Sequence, residues 1–328
     1  MMRAFLGSAI AAIALSLAIP MVAQSNEPMR VVATFSILGD MVGRIGDEHV
    51  SVITLVGPDG DTHVYQPTPT AARAVSEADI LIVNGLQFEG WLDRLIDASD
   101  FDGVRVVATD GIEPMAFDDM HGHVDSHEDH AEATHDDDHE EHAEAGHDPH
   151  DHGVFDPHAW QSLRNAVAYV DNITAALAQA DPANAVDFYQ NRAAYVAELE
   201  ALDTEIREIV AGLPADRRIV VTSHDAFQYF GRDYGLTFLA PQGISTESEA
   251  SAQDVARLIE RIRDEGISAV FVENITDGRL LEQIANETGA TIGGTLYPGA
   301  LSGPDGSAPT YLEMMRHNAM TLAQALTP

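Results

Sequence analysis

Short β-branched runs alternate with helix-like segments along almost the whole chain, and this alternation constrains the fold most. Residues 30–35, 50–56, 79–84 and 104–109 read as strands, with helices predicted over 37–46, 68–77 (Thr70 as its N-cap) and 88–97. Strand, helix, strand in that order requires right-handed crossovers and a parallel sheet. The run Asp79-Ile-Leu-Ile-Val-Asn84 is nearly all apolar, as expected of a strand buried on both faces. Two helices follow, over 162–180 and 182–209. A second series then has strands at 218–223, 236–240, 268–273 and 290–295, and helices at 252–265, 279–288 and 310–326. A chain of 328 residues exceeds what one core usually supports, so two α/β lobes are expected. At 1.5 Å per residue the helix over 182–209 would reach about 42 Å, enough to run the length of a two-lobed molecule.

The charge balance excludes several classes of partner. There are 17 Lys+Arg, all of them Arg, against 53 Asp+Glu, for a net charge of −36. Nucleic-acid phosphates and anionic membrane surfaces need basic patches, so neither is an expected partner. The chain has no Cys, which removes disulfides, thiolate metal sites, cysteine nucleophiles and the lipidated Cys of a bacterial membrane anchor. At the N-terminus, Met1-Met2-Arg3 precedes an uncharged run from Ala4 to Ile19 and then Pro20-Met-Val-Ala23. This is the pattern of a secretory signal peptide, residues 1–23, cleaved near Ala23. The run is short for a membrane span of roughly 20 residues, so an uncleaved anchor is the weaker reading. The expected mature protein is exported, without lipid anchor or transmembrane helix, and periplasmic.

Composition breaks over 118–152. These 35 residues hold ten of the 15 His (His121, His123, His127, His130, His135, His139, His142, His147, His150 and His152), fourteen Asp+Glu and no Arg. With Val124 as its one large aliphatic residue, the segment cannot bury enough apolar surface to offset its ordering entropy, and a mobile loop is predicted.

Five His lie outside it. His63 follows strand 50–56 across Gly57-Pro-Asp-Gly60; His158 lies in Phe155-Asp-Pro-His158-Ala-Trp160 at a helix start; His224 directly follows strand 218–223. Two of the three sit just past strand ends, where open α/β sheets bind ligands. Three neutral imidazoles converging on one point suit zinc or another borderline divalent metal. His49, in a polar turn, and His317, beside Arg316 on the last helix, are expected to be solvated.

These motifs resemble those of the cluster A-I solute-binding proteins of ABC importers for zinc, manganese and iron. The likeness is carried by His63-Val-Tyr-Gln-Pro-Thr-Pro69, Phe155-Asp-Pro-His158-Ala-Trp160, Thr222-Ser-His224-Asp-Ala-Phe-Gln-Tyr-Phe230, Gln242-Gly-Ile-Ser-Thr-Glu-Ser-Glu249, Val272-Glu-Asn274, Leu296-Tyr297 and Thr310-Tyr-Leu-Glu-Met-Met-Arg-His-Asn318. It covers essentially the whole mature chain. It implies two α/β lobes, 24–181 (including the 118–152 loop) and 212–328, joined by one long rigid helix over 182–211. It also implies one metal held by His63, His158 and His224 in the cleft between lobes.

At the fourth ligand the chain departs from the resemblance. Relatives often carry Asp where Leu296-Tyr-Pro-Gly299-Ala-Leu301 has Gly299. Water, Asp61 or a loop His is left to complete the set. Three imidazoles without a carboxylate shift the preference from manganese toward zinc. The third ligand points the same way, because manganese-type relatives often carry a carboxylate where this chain has His224. The loop has three readings: low-affinity zinc capture, docking of a periplasmic zinc metallochaperone, or a tolerated insertion. The leading function is a monomeric binding protein that captures Zn2+ and delivers it to the membrane permease of a zinc ABC transporter. Manganese or iron is the alternative cargo. A zinc hydrolase would also use three His plus water, but no His-Glu-x-x-His motif or phosphate-binding loop occurs. A metal-sequestering adhesin would keep the same site. Glu247, Glu249 and Glu273 are expected to hold loops and orient ligands; Tyr65, Trp160, Phe227, Tyr229 and Tyr297 are read as packing around the cleft.

Overall fold

The computed structural model describes residues 27–117 and 155–327. The predicted leader, 1–23, and the histidine-rich segment, 118–152, lie outside the described residues.

The N-terminal lobe contains β1 (Met29–Phe35), α1 (Ser36–Gly46), β2 (Val50–Val56), α2 (Pro69–Ser76), β3 (Ile80–Val83), α3 (Leu92–Ser99), β4 (Val104–Val107) and α4 (Leu163–Ala180). Its strands form one parallel sheet in the order β2-β1-β3-β4. All four residues of β3 are buried, which is why its sequence shows no polar alternation. After α5 (Ala185–Ala211), the C-terminal lobe repeats the pattern with β5 (Ile219–Val221), α6 (Gln228–Tyr234), β6 (Thr237–Leu239), α7 (Ala252–Glu265), β7 (Ala269–Glu273), α8 (Arg279–Thr288), β8 (Thr291–Leu296) and α9 (Tyr311–Leu326). Its parallel sheet has the order β6-β5-β7-β8. Each sheet therefore reverses its winding once, between β1 and β3 in the first lobe and between β5 and β7 in the second.

Local chemistry explains where the helices begin and end. Thr68, not Thr70, caps α2 by accepting from Ala71 N, with Pro69 placed where its missing N–H costs nothing. Ser251 caps α7 through Asp254 N, and Gly266 ends it at φ 65°. Thr310 Oγ1 caps α9 by accepting from Glu313 N and donates to the Glu313 carboxylate.

The long helix α5 starts at Ala185, three residues later than the sequence suggests. Residues 182–184 form a turn in which Asn184 Nδ2 donates to Asp181. Its 27 residues still reach about 40 Å. Phe188, Tyr195, Leu199, Leu202, Ile206 and Val210 bury one stripe along its whole length. Arg44–Glu198 ties its first half to α1, and Arg207 to Asp233 O and Arg316–Glu205 tie its second half to α6 and α9.

Direct hydrogen bonds also stitch the lobes together. Asp59 N donates to Leu301 O (2.8 Å), Leu301 N to Ser36 Oγ (2.9 Å), Tyr311 N to Asp40 Oδ2 (2.9 Å) and Trp160 Nε1 to Pro298 O (2.8 Å). Trp160 is wholly buried and packs on Phe35 and Phe88 at this seam.

Candidate metal centre

Both sheets direct the C-terminal ends of their strands at one cleft. His63 comes from the loop after β2, His224 lies three residues beyond β5, and Glu273 is the last residue of β7, beside the reversal of winding. This is the place where doubly wound sheets bind ligands. His158 arrives from the first lobe on the short 3-10 turn that precedes α4.

The three imidazoles predicted from sequence meet. Their ring centroids are 5.3 to 5.7 Å apart. One nitrogen from each lies within 4.8 Å of the others, and His63, His158 and His224 form the one such group among the described residues. All three are buried, at 8, 1 and 0 % exposure. His63 Nε2 and His158 Nε2 are 3.3 Å apart. Two nitrogens each about 2.05 Å from a tetrahedral ion would be separated by about 3.35 Å, so this edge already has the spacing a zinc ion needs. His224 Nε2 is buried with no hydrogen-bond partner among the described residues. A buried polar atom without a partner is costly, and a cation at the centre supplies one.

Two carboxylates orient two of the rings. Asp156 Oδ1 accepts from both His158 N (2.9 Å) and His158 Nδ1 (2.8 Å). Glu273 Oε1 accepts from Ser223 N and His224 N, and its Oε2 takes His224 Nδ1 at 2.6 Å. With Nδ1 so engaged, each ring presents Nε2 to the cleft, the arrangement that metal-binding imidazoles use to fix tautomer and raise basicity. Tyr229 Oη donates to Asp156 O (3.0 Å) and accepts from Met115 N (2.9 Å), holding the segment before His158 from the other lobe.

The fourth position has no protein donor among the described residues. Asp61 is not part of the converging group; its Oδ1 accepts from His63 N (2.9 Å) and its Oδ2 from Thr246 Oγ1 (2.6 Å). Gly299 sits against Trp160 Cζ2, with ordinary van der Waals space (3.5 Å) for a Cβ. The ten loop His lie outside the described residues. His49 and His317, expected to be solvated, are both half-buried and engaged. His49 reaches Asp187 (3.2 Å) and packs edge-on against Phe188; His317 meets Thr295 O (3.0 Å) and the ring of Tyr297. Neither belongs to the site. Glu273 was one of three carboxylates singled out in the sequence. Its role follows from strand pairing of β5 with β7 (Val221 beside Val270), which no local pattern reports.

The protonation states follow from burial and partners. Burial, reinforced by the neighbouring imidazoles, holds His63 and His158 well below the ordinary histidine value. Burial also opposes the charged form of His224, but the Glu273 carboxylate overrides it and raises this ring above the ordinary value. Burial raises Asp156 to about 7. Without metal, His224 therefore keeps its proton to higher pH than an ordinary histidine, Asp156 keeps one up to about pH 7, and His63 and His158 favour the neutral form. A cation must displace the first and favours loss of the second. Metal binding at pH 6.5 is expected to release about one to two protons per ion, fewer at pH 8, and affinity falls as pH drops through the His224 value. Calorimetry in buffers of different ionisation enthalpy measures this directly; no release at pH 6.5 would contradict the assignment.

Two parallel-sheet lobes facing each other across three converging imidazoles define a protein built to hold a divalent metal between its lobes. A family model described as "Zinc-uptake complex component A periplasmic" (ZnuA) matches residues 31–325, and the chain belongs to this family of metal-binding solute-binding proteins of ABC importers. It is 32% identical over 295 residues (90% of this chain, 85% of the relative) to the iron-binding protein YfeA of Yersinia pestis. It is 30% identical over 305 residues (93% and 90%) to the manganese-binding lipoprotein MntA of Halalkalibacterium halodurans. Among solved structures, the periplasmic zinc-binding protein TroA from Treponema pallidum superposes with a TM-score of 0.78 at 28% identity, covering 92% of this chain and all of that one. Such proteins face the outside of the cell and work with the permease of an ABC importer. No helix among the described residues is long and apolar enough to cross a membrane. The expectation of a protein without lipid anchor draws no support from these comparisons, since MntA is named a lipoprotein.

Proposed function

We propose that the chain, exported through a cleaved leader, captures Zn2+ in the periplasm as a monomer and delivers it to the permease of a zinc ABC transporter. His63, His158 and His224 are its ligands, with water completing a tetrahedron. The observation that carries this reading is the donor set: three buried imidazole nitrogens, two of them already 3.3 Å apart, with Asp61 outside the converging group and glycine at 299. Imidazole without carboxylate suits zinc better than manganese, which prefers oxygen.

The histidines of 118–152 are assigned low-affinity capture that feeds the cleft; a zinc metallochaperone docking on the same segment is the other use considered. Ala116 and Phe155, the described residues that flank it, pair as a bridge three residues before His158.

A second reading has support in the iron and manganese named for YfeA and MntA. Raw affinity rises from manganese to zinc at most such sites, so competition does not separate the two, and metal import does. The zinc reading expects cells that carry the chain and its importer to take up zinc, and to lose that uptake when all three cleft His are replaced by Ala. Uptake of manganese or iron but not zinc through the same three His would favour the second reading.

A further inference from the structure

We infer that the turn after β3, Asn84 to Glu89, is the positioning element of the metal centre: it fixes the His158 segment through the Asn84 side chain and walls His63 and His158 with the Phe88 ring. This deepens the proposed function and rests on those imidazoles being ligands.

The turn is unusual in its backbone. Gly85, Leu86 and Gln87 follow one another at φ 91°, 52° and 60°, all left-handed. Glycine accepts this readily, and a Cβ at residue 85 would in any case lie 2.5 Å from Val107 Cγ1. Leucine and glutamine do not accept it readily, and such conformations persist where their surroundings over-determine them. Here the surroundings are explicit. Glu89 is buried and turns its carboxylate back on the turn. Oε1 accepts from Asn84 N (2.7 Å) and from Thr34 Oγ1 on β1 (2.6 Å), while Oε2 accepts from Gly85 N (3.3 Å). This places a clamp across β1 and β3, at the reversal of winding in the first lobe. A buried carboxylate with backbone donors has the same relation to this lobe as Glu273 has to the other, where the donors are Ser223 N and His224 N.

The clamp delivers two side chains to the site. Asn84 Nδ2 donates to Pro157 O (3.0 Å), the residue before His158, and Asn84 Oδ1 accepts from Tyr169 Oη on α4 (2.6 Å). The His158 backbone is thus held from beneath by Asn84 and from the side by Asp156. Phe88 stands edge-on to His63 (centroids 4.9 Å apart) and to His158 (5.9 Å), and packs against Trp160 (4.7 Å). One ring therefore contacts both first-lobe imidazoles and keeps water from the lobe side of the site. Neither Asn84 nor Phe88 offers a ligand atom; both act through the imidazoles.

The test uses the full-length chain with one equivalent of Co2+, whose d–d bands report ligand geometry. Each spectrum is read as the difference from the same chain with His63, His158 and His224 replaced by Ala, which subtracts binding by the histidine-rich segment. Asn84→Ala and Phe88→Leu are expected to weaken cleft binding about tenfold, in the range typical of groups that orient ligands, and to change band intensity. Phe88→Leu keeps an apolar side chain and is the deciding variant if Asn84→Ala fails to fold. Bands identical to native in a folded Phe88→Leu chain would overturn the inference, whatever the affinity, because a purely structural role leaves ligand geometry untouched. A native chain with no difference spectrum would instead overturn the proposed ligands.

Discussion

Replacing His224 by Ala is expected to lower cleft affinity for Zn2+ by two to three orders of magnitude. Tight zinc sites have about 10–16 kcal/mol of apparent binding energy. Shared over three imidazoles and a fourth donor, each contributes about 2.5–4 kcal/mol, and 1.4 kcal/mol is a factor of ten. His224 is the most informative of the three, because it is the one proposed ligand from the second lobe and its Nε2 has no hydrogen-bond partner among the described residues. The change also strands Glu273. Its Oε1 keeps two backbone donors, but its Oε2 loses the ring N–H at 2.6 Å. A buried acceptor left unmatched costs about 1–3 kcal/mol, so the metal-free variant should also melt earlier. Titration against a competing chelator measures the first effect and calorimetry the second. His317→Ala is the matched control: its ring bonds Thr295 O, outside the site, and affinity should not move. A loss of less than tenfold for His224→Ala would remove it from the ligand set.

The largest stability effect is expected at Trp160. Replacing it by Ala should cost about 3–5 kcal/mol, lowering the melting temperature by roughly 5–9 °C. Its ring is wholly buried between Phe35 and Phe88, and its Nε1 donates to Pro298 O across the seam. Its carbonyl accepts from the Tyr311 hydroxyl on α9. Truncation therefore opens a cavity and removes one of the two hydrogen bonds on Pro298 O, leaving Gln161 Nε2 (2.6 Å) as its donor. Trp160 also stands 5.3 Å from His158, so cleft affinity should fall in parallel. A melting shift below about 3 °C would mean that the seam does not depend on this ring.

Much of this was legible because strand ends and apolar runs are local signals. The buried run Ile80–Val83 and the position of His224 past β5 required no tertiary knowledge. What stayed hidden depended on contacts between distant residues. The helix Gln228–Tyr234 is less than two turns long and lies inside the motif that follows His224, so no period could develop. The late start of α5 reflects the tie from Asn184 to Asp181, which favours a turn after Pro182 over a longer helix. His49 and His317 looked solvated because their neighbours in sequence are polar, yet their neighbours in space are Phe188 and Tyr297. Asp61, two residues from His63, was a reasonable ligand on spacing alone; a hydrogen bond to Thr246, 185 residues away, occupies its second oxygen. The Asn84-Gly85 pair signals a turn, but nothing local reveals that Glu89 folds back to clamp it.

The three imidazoles are spaced 95 and 66 residues apart along the chain and come from both lobes. A site of this kind exists only while both sheets are folded and docked. The cargo is then a ligand of the docked pair, and every tenfold rise in free metal above the dissociation constant adds about 1.4 kcal/mol to its stability. The lifetime of the molecule against heat and proteolysis thus becomes a gauge of the metal around it. Where metal is scarce, the receptor that is most needed is also the one most readily degraded.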